Sequence, residues 1–395
     1  MVAIGLLDIP PEIQLQIAEF VETGQALKAL SVTSRALCSI AQSILFKTLE
    51  ICLEPMLRGS IGDLLANPRI CAAIRFLELD GQRPLTFGVR KDDEQLSLIQ
   101  KMLPKMVGLR KVSIHQLNLN KAFLDTFLEI AANKPLRISL ERNIYPYDAI
   151  PTRHTPLQLS HLHLTVDHSS LEFYRSMFHA SATTLTGLSL VVYEGEVIKL
   201  VDIDLPFLHD LTLLVIVPYE ISMTSVAAFI TAQNATRKLD LKGRMRDLPP
   251  IPPNALPNLR ELKAPPELVN QLVPGRPVEA IEVIFPLSTC QEDWFWEGVT
   301  QSTALVRMLR VHLNTAISNT RMAKRMVTML PFLENLWLPV FDDVSWRFRS
   351  ITKTLAAHFP SDTPRCRRSP HFTQVPQVPT LRSVSSRSMG RPQHQ

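Results

Sequence analysis

The sequence predicts an α/β protein in which an N-terminal helical module precedes a solenoid of short parallel strands alternating with helices. Three observations carry this prediction. Apolar residues at helical spacing fill positions 6–46, a short strand-like pattern returns eleven times after residue 70, and segments with helical periodicity lie between its copies. A chain of 395 residues is long enough for two domains or one extended array.

The N-terminal segment reads LLDIPPEIQLQIAEFVETGQALKALSVTSRALCSIAQSILF. The Pro10-Pro11 pair fits a helix start, because the first turn tolerates proline. Ile13, Ile17 and Phe20 then form one apolar stripe at helical spacing. Gly24 breaks this helix, and a second apolar pattern runs from residue 27 to 46, with serine and threonine at 31–34 as a cap or kink. Helices this short are not stable alone, so the segment requires a partner or a neighbouring domain.

This segment resembles an F-box in both the order and the spacing of its residues. The matching positions are Leu7, Pro10, Glu12, Ile13, Ile17, Phe20, Leu27, Leu30, Val32, Arg35, Leu37, Leu45 and Phe46. The resemblance implies that residues 1–50 dock on the Skp-family adaptor of cullin–RING ubiquitin ligases. It assigns adaptor contact to Leu7, Pro10, Ile13, Ile17, Phe20, Leu27, Leu30, Val32, Arg35 and Leu37. An ordinary helical cap on the following domain is the alternative.

Beyond residue 70 the pattern of apolar, two others, apolar, one other, apolar recurs. Its copies are IRFLEL, LRKVSI, PLRISL, LSHLHL, LTGLSL, LHDLTL, TRKLDL, LRELKA, VEAIEV, VRMLRV and LENLWL. Alternation of this kind predicts a short strand in each copy. The spacing between copies lies mostly in the 20–29-residue range of leucine-rich repeats.

Between the strands, five segments have helical periodicity: 93–103, 121–132, 170–178, 225–233 and 320–330. A strand and a helix cannot bury their apolar faces alone, but stacked units share one core. Residues 51–355 are therefore interpreted as a leucine-rich-repeat-like domain, with an ordinary α/β domain as the alternative. Asparagine at the position typical of such repeats occurs only at Asn143 and Asn314.

Strand alternation also predicts a row of side chains that point away from the core. One residue in each unit belongs to it: Glu78, Ser113, Ser139, His163, Ser189, Thr212, Asp240, Lys263, Glu282, Arg310 and Trp337. In a leucine-rich arc this row would line the concave face and bind a target protein. Lys263, Glu282, Arg310 and Trp337 are the predicted target contacts, since arginine and tryptophan are common hot-spot residues.

The net charge of +5 resides in the C-terminal segment, where residues 361–395 contain six arginines and one aspartate. The rest of the chain is neutral overall, so no nucleic-acid partner is expected. Residues 356–395 are rich in Pro, Ser, Arg and Gln and are predicted to be a disordered tail. No segment has the ~20 apolar residues of a membrane span, and the five scattered cysteines suggest reduced thiols in the cytoplasm or nucleus.

Catalytic and cofactor motifs such as GxGxxG, the P-loop, HExxH and GxSxG do not occur. His161 and His163, with His168 or Asp167, could ligate zinc, but residues on one strand face explain them equally well. The aromatic run DWFWEG could be an exposed anchor, although such runs are more often half buried. No cofactor, metal or catalytic residue is therefore predicted.

These features together favour a non-enzymatic substrate receptor of an SCF-type ligase, which holds a target on its repeats. A repeat scaffold without a ligase role is the main alternative, and an enzyme with a scattered site is a third. Binding to the adaptor distinguishes the first two.

Overall fold

A computed structural model of the protein describes residues 9–21, 23–53, 58–81, 92–145, 156–166, 171–192, 203–216, 222–243, 245, 247–287, 292–313 and 328–337. Its helices are α1 (Pro11–Glu19), α2 (Gly24–Ser31), α3 (Arg35–Leu45), α4 (Arg58–Ala66), α5 (Pro68–Ala73), α6 (Asp92–Met102), α7 (Lys121–Asn133), α8 (Leu171–Ser181), α9 (Met223–Ala232), α10 (Pro266–Leu272) and α11 (Glu292–Thr300). Its strands are β1 (Thr48–Cys52), β2 (Phe76–Asp80), β3 (Lys111–His115), β4 (Leu136–Glu141), β5 (Leu159–Val166), β6 (Gly187–Val192), β7 (Asp210–Val215), β8 (Lys238–Gly243), β9 (Glu261–Ala264), β10 (Ala280–Leu287), β11 (Met308–Leu313) and β12 (Asn335–Trp337).

The twelve strands form one sheet in which spatial order follows chain order from β1 to β12. Every neighbouring pair is parallel. All eleven strand segments predicted from the repeated pattern are confirmed. Strand β1 was not predicted; it pairs with β2 and begins at Thr48, ahead of the boundary placed at residue 50. The chain is therefore an α/β protein with a solenoid-like parallel sheet.

Alternation along each strand positions the core. Leu162 and Leu164 of β5 are buried, whereas His163 between them is half-buried on the opposite face. The equivalent apolar positions of the other strands join one continuous cluster of buried side chains, which extends from Ile51 to Leu330. Each fully buried leucine contributes roughly 1.5–3 kcal/mol, so the stacked units stabilise one another.

Four of the predicted helical segments correspond to α6, α7, α8 and α9. Most of the fifth, 320–330, lies outside the described residues, as does the predicted tail at 356–395. Helices α4, α5, α10 and α11 were not predicted. The apolar runs of the first three are short and lie close to proline, so they resemble turns. No helix in the described ranges is both long and apolar enough to cross a membrane.

Asn143 ties neighbouring repeat units together. Its side chain is buried, accepts a hydrogen bond from the backbone N–H of Leu117 at 2.9 Å and donates one to the carbonyl of Ile114 at 2.8 Å. The preceding residue, Arg142, has a positive φ of 54°, which turns the chain away from β4. Asn143 thus satisfies the backbone of the previous unit, while Asn314 lies outside the described residues.

Hydrogen bonds from Arg276 connect the proline-rich loop at 248–258 with helix α10. The guanidinium is buried and donates to the carbonyls of Ala255 (2.8 Å), Pro252 (2.6 Å) and Leu272 (3.1 Å). Leu272 is the last residue of α10, so Arg276 satisfies a carbonyl that the helix leaves unpaired. Burial lowers the pKa of Arg276 from its ordinary value.

The N-terminal helices α1, α2 and α3 have a small core of their own. It consists of Ala18, Leu27, Leu37 and Ala41, and none of these side chains belongs to the main cluster. Helix α3 packs against both α1 and α2. Two polar residues cap the helices that follow: Thr23 for α2 and Ser34 for α3. The cap or kink expected at 31–34 is thus a helix boundary, and the module has three helices.

Candidate interaction surfaces

Helix α1 exposes its apolar stripe to solvent. Ile13, Ile17 and Phe20 retain 41%, 42% and 86% of their accessible surface, and Leu15 is also exposed. These side chains are among the largest apolar groups left uncovered in the described part of the chain. Isolated exposed leucines or isoleucines are ordinary, but a stripe of them on one helix marks an interaction site.

The face that α1 buries carries Gln14 and Ala18. Each follows an exposed isoleucine by one residue, so the buried face is turned about 100° from the apolar stripe. The Gln14 amide donates to the carbonyl of Ile9 at 2.7 Å, which accounts for one of its polar groups. Among the described residues, helix α1 therefore packs through a small and a polar residue and leaves its apolar stripe exposed.

The other predicted adaptor contacts divide into two groups. Pro10, Val32 and Arg35 are exposed, and Leu30 is half-buried. Leu27 and Leu37 lie in the core of the module, with 6% and 4% of their surface exposed. Leu27 and Leu37 are therefore less accessible to a partner than the other predicted contacts. Leu7 lies outside the described residues.

The side chains predicted to point outward form one continuous row of register partners across the sheet. Its members pair with one another from strand to strand, from Glu78 on β2 to Trp337 on β12. Glu50 on β1 extends it by one position. We call the sheet face that carries this row the open face. Aligned repeat units were sufficient to predict its register.

In the second half of the open face, the predicted target contacts bind one another. The ammonium of Lys263 lies 2.8 Å from the carboxylate of Glu282, and the guanidinium of Arg310 lies 3.4 Å from the same carboxylate. Arg310 also stacks on the ring of Trp337, at 4.1 Å from its centroid. Trp337 remains half exposed. Lys263 and Arg310 share the one carboxylate of Glu282, so the three charged groups keep a single net positive charge.

Charge pairing continues along the edge where the strands begin. Lys238 pairs with Glu261 at 3.3 Å, Arg307 pairs with Glu334 at 3.4 Å, and Arg260 pairs with Glu279. Each pair joins consecutive strands or their leading residues. Pairs this exposed contribute about 0–1 kcal/mol each, so they set the local charge of the surface more than its stability.

A histidine–carboxylate cluster occupies the first half of the open face. The Glu141 carboxylate lies 3.5 Å from Nδ1 of His115 and 3.2 Å from Nε2 of His163. Nδ1 of His163 is 2.7 Å from the hydroxyl of Ser189. Burial lowers the pKa of His163, the nearby Glu141 opposes that shift, and the charges of His115 and Lys111 add to it.

His115 and Glu141 were not predicted to lie on this face. A signal was available, because both lie two residues after a row member, at Ser113 and Ser139, and strand alternation returns a side chain to the same face every second residue. In the described residues, no group of three or more His, Cys, Asp or Glu is arranged to hold a metal ion. His168 and Asp167, the other members of the considered zinc site, lie outside those residues.

The aromatic run at 294–296 is half buried. Phe295 and Trp296 are fully buried on α11 and pack edge to face, with ring centroids 5.1 Å apart, while Trp294 is partly exposed. The half-buried arrangement that is more common for such runs is therefore confirmed, with Trp296 inside and Trp294 at the rim. The described cysteines, Cys38, Cys52 and Cys71, are free thiols.

No protein-family model matches the chain, and neither does any curated protein.

Proposed function

We propose that the protein is a non-enzymatic substrate-receptor subunit of an SCF-type cullin–RING ubiquitin ligase. In this proposal the N-terminal module is an F-box that docks on a Skp-family adaptor, and through it on a cullin. The observation that carries the proposal is the exposed stripe of Ile13, Ile17 and Phe20 on a helix that buries Gln14 and Ala18 instead. A helix in this orientation offers a partner an apolar face that the described part of the chain leaves exposed.

Adaptor docking would also explain the small core of the module. Three short helices that bury four apolar side chains gain little stability from each other. Covering the α1 stripe would add roughly 1.5–3 kcal/mol for each large apolar side chain that becomes fully buried. Val32, which is 84% exposed at the end of α2, would add to the same contact, with Pro10, Leu30 and Arg35 at its margin.

The remainder of the chain, in this proposal, is a leucine-rich-repeat-like arc that holds the target protein. Its support is the parallel sheet in chain order, the repeat spacing and the hydrogen bonds of Asn143 to the previous unit. Lys263, Glu282, Arg310 and Trp337 remain the proposed target contacts, with Trp337 the most accessible. The receptor would act by position alone, raising the effective concentration of target lysines near the loaded conjugating enzyme in the cytoplasm or nucleus.

Co-expression with a Skp-family adaptor tests the docking proposal. The wild-type chain should retain the adaptor on affinity resin. An Ile13→Asp, Ile17→Asp variant should lose it, because the interface would bury unpaired charge. A Val107→Asp, Phe332→Asp variant is the matched control, since both residues are exposed and lie outside the module. Retention by the first variant equal to wild type would show that the stripe is not the docking site.

A scaffold without a ligase role is the alternative function. Under it the module is only an end cap, and the wild-type chain retains no adaptor.

A further inference from the structure

Two positively charged side chains, those of Lys111 and Arg137, lie next to each other where β3 and β4 begin. Lys111 and Arg137 are register partners on neighbouring parallel strands, and both are exposed on the open face. Neighbouring strands lie about 4.8 Å apart, so the two charges project from adjacent points of the sheet. Like charges directly opposite each other destabilise a sheet, which makes an anionic partner favourable here.

Two further arginines extend this group along the leading edge of the sheet. The backbone N–H of Arg110 donates to the carbonyl of Arg75 at 2.8 Å, and that of Arg137 donates to the carbonyl of Arg110 at 2.8 Å. These bonds place Arg75 and Arg110 at the leading edge of the sheet, one residue before β2 and β3, where strand alternation turns their side chains away from the face on which Lys111 and Arg137 project. The backbone positions of Arg75, Arg110 and Arg137 lie within about 10 Å of one another. We call Arg75, Arg110, Lys111 and Arg137 the basic cluster.

The basic cluster differs from the rest of the face in its charge balance. In the second half of the sheet, Lys238, Arg260 and Arg307 each have a carboxylate on the following unit. Within the described ranges, no carboxylate lies within 4.0 Å of a charged nitrogen of the basic cluster.

The nearest carboxylates already have partners. Glu78 lies 3.7 Å from His115, and Glu141 contacts both His115 and His163. The positive charge of Arg137 also acts on His161, the neighbouring histidine on β5. Burial and then the charge of Arg137 lower the pKa of His161, and Asp210 opposes them.

We propose that the basic cluster binds an acidic segment of the target protein. Guanidinium groups bind carboxylates and phosphates through paired, charge-assisted hydrogen bonds, and Lys111 would add a point charge beside them. The segment's anions could be Asp and Glu side chains or phosphoserines, since the shared chemistry is a short row of negative charge. The inference rests on the proposed function, in which the open face holds the target, and it assigns a chemical class to that target.

The size and surroundings of the basic cluster favour a peptide over nucleic acid. The backbone positions of the four cations span about 10 Å. Glu78, Glu141 and Asp210 lie on the open face and would repel a longer phosphate backbone. A nucleic-acid site requires a basic stripe of greater length, and the chain before residue 361 has no net charge.

Fluorescence anisotropy with the full chain tests the inference. The probes are a labelled peptide of alternating glutamate and serine, the same peptide with phosphoserines, and a glutamine–serine peptide of equal length. A Lys111→Ser, Arg137→Ser variant should weaken binding of the anionic peptides by at least about tenfold. A Lys238→Ser, Arg307→Ser variant removes the same charge from the paired half, and its affinity should stay within about twofold of wild type.

The two anionic peptides distinguish carboxylate from phosphate as the source of charge. Equal loss in both variants, binding of the glutamine–serine peptide, or no binding at all would overturn the inference. Tighter binding of a duplex DNA probe, lost in the Lys111→Ser, Arg137→Ser variant, would replace the peptide with nucleic acid. Because no adaptor is present, failure here leaves the adaptor-retention test unaffected, and failure of adaptor retention leaves this measurement valid.

Discussion

The side chain of Asn143 replaces a missing backbone partner for Leu117. Its Oδ1 accepts the Leu117 N–H at 2.9 Å, 26 residues earlier in the chain. This contact joins two consecutive turns of the array through one buried amide, and the same amide reaches the carbonyl of Ile114.

Replacement of Asn143 by leucine should destabilise the protein by about 2–5 kcal/mol, because a buried N–H and a buried carbonyl both lose their partners. Urea unfolding, followed by the shift of the midpoint, measures the effect. Asn133→Leu is the control, since the Asn133 amide bonds only to Glu129 on an exposed helix end and should change stability by under about 1 kcal/mol. Equal midpoints for both variants would contradict the role of Asn143.

Arg276→Met should be similarly severe, at about 3–5 kcal/mol. The substitution keeps much of the side-chain length but leaves the carbonyls of Pro252, Ala255 and Leu272 buried without a donor. Thermal unfolding compares it with Arg307→Met, which removes an exposed guanidinium. A loss of stability no larger than that of the Arg307 variant would show that the proline-rich loop does not depend on Arg276.

Stability should fall as the pH drops below about 6.5, the ordinary pKa of histidine. The pKa values of His161 and His163 are lowered in the folded state, mainly by burial. The unfolded chain therefore binds protons first on acidification, and stability rises with pH through this window. The unfolding free energy of a His161→Gln, His163→Gln variant should depend less steeply on pH between about 5 and 7 than that of wild type.

Lys111→Ser should raise the pKa of His163, because the charge of Lys111 is one of the causes that lower it. Titration of the imidazole by NMR measures this directly. A pKa that stays the same, or falls, would show that Lys111 does not act on the histidine cluster.

Contact residues and core residues of the N-terminal module should respond differently to truncation. Leu37→Ala should increase hydrogen exchange throughout α1–α3, since it opens a cavity in a four-residue core. Ile17→Ser should leave exchange nearly unchanged, because the side chain is already 42% exposed. Protection lost equally in both variants would place Ile17 in the core and remove it from the docking surface.

The sequence was sufficient to predict the sheet but not the orientation of α1. Leu162, His163 and Leu164 show why the strands were predictable, since alternation within a strand fixes both the core side and the outward side. Strand β1 was not predicted because LEIC at 49–52 directly follows the helical module, and the end of the module was placed within it, at residue 50. An amphipathic helix usually buries its apolar face, but helix α1 buries Gln14 and Ala18 and leaves its apolar stripe exposed.

Charge pairing on the open face was only partly predictable. Repeat alignment identified Lys263, Glu282 and Arg310 as row members, yet their mutual contacts depend on rotamers that a pattern does not contain. Lys111 and Arg137 could have been found from the same alignment, two residues before Ser113 and Ser139. The role of Arg276 depends on where a proline-rich loop 20 residues earlier folds, which local sequence does not indicate.

Isothermal titration of a purified Skp-family adaptor into the full-length chain tests the central claim most directly. The account predicts a one-to-one complex with a negative heat-capacity change, as burial of an apolar stripe requires. It also predicts that an Ile13→Ser, Ile17→Ser variant loses the complex while a Val107→Ser, Phe332→Ser variant keeps it. A folded wild-type chain that gives no binding heat at any temperature, and no complex in size-exclusion chromatography, would contradict the account.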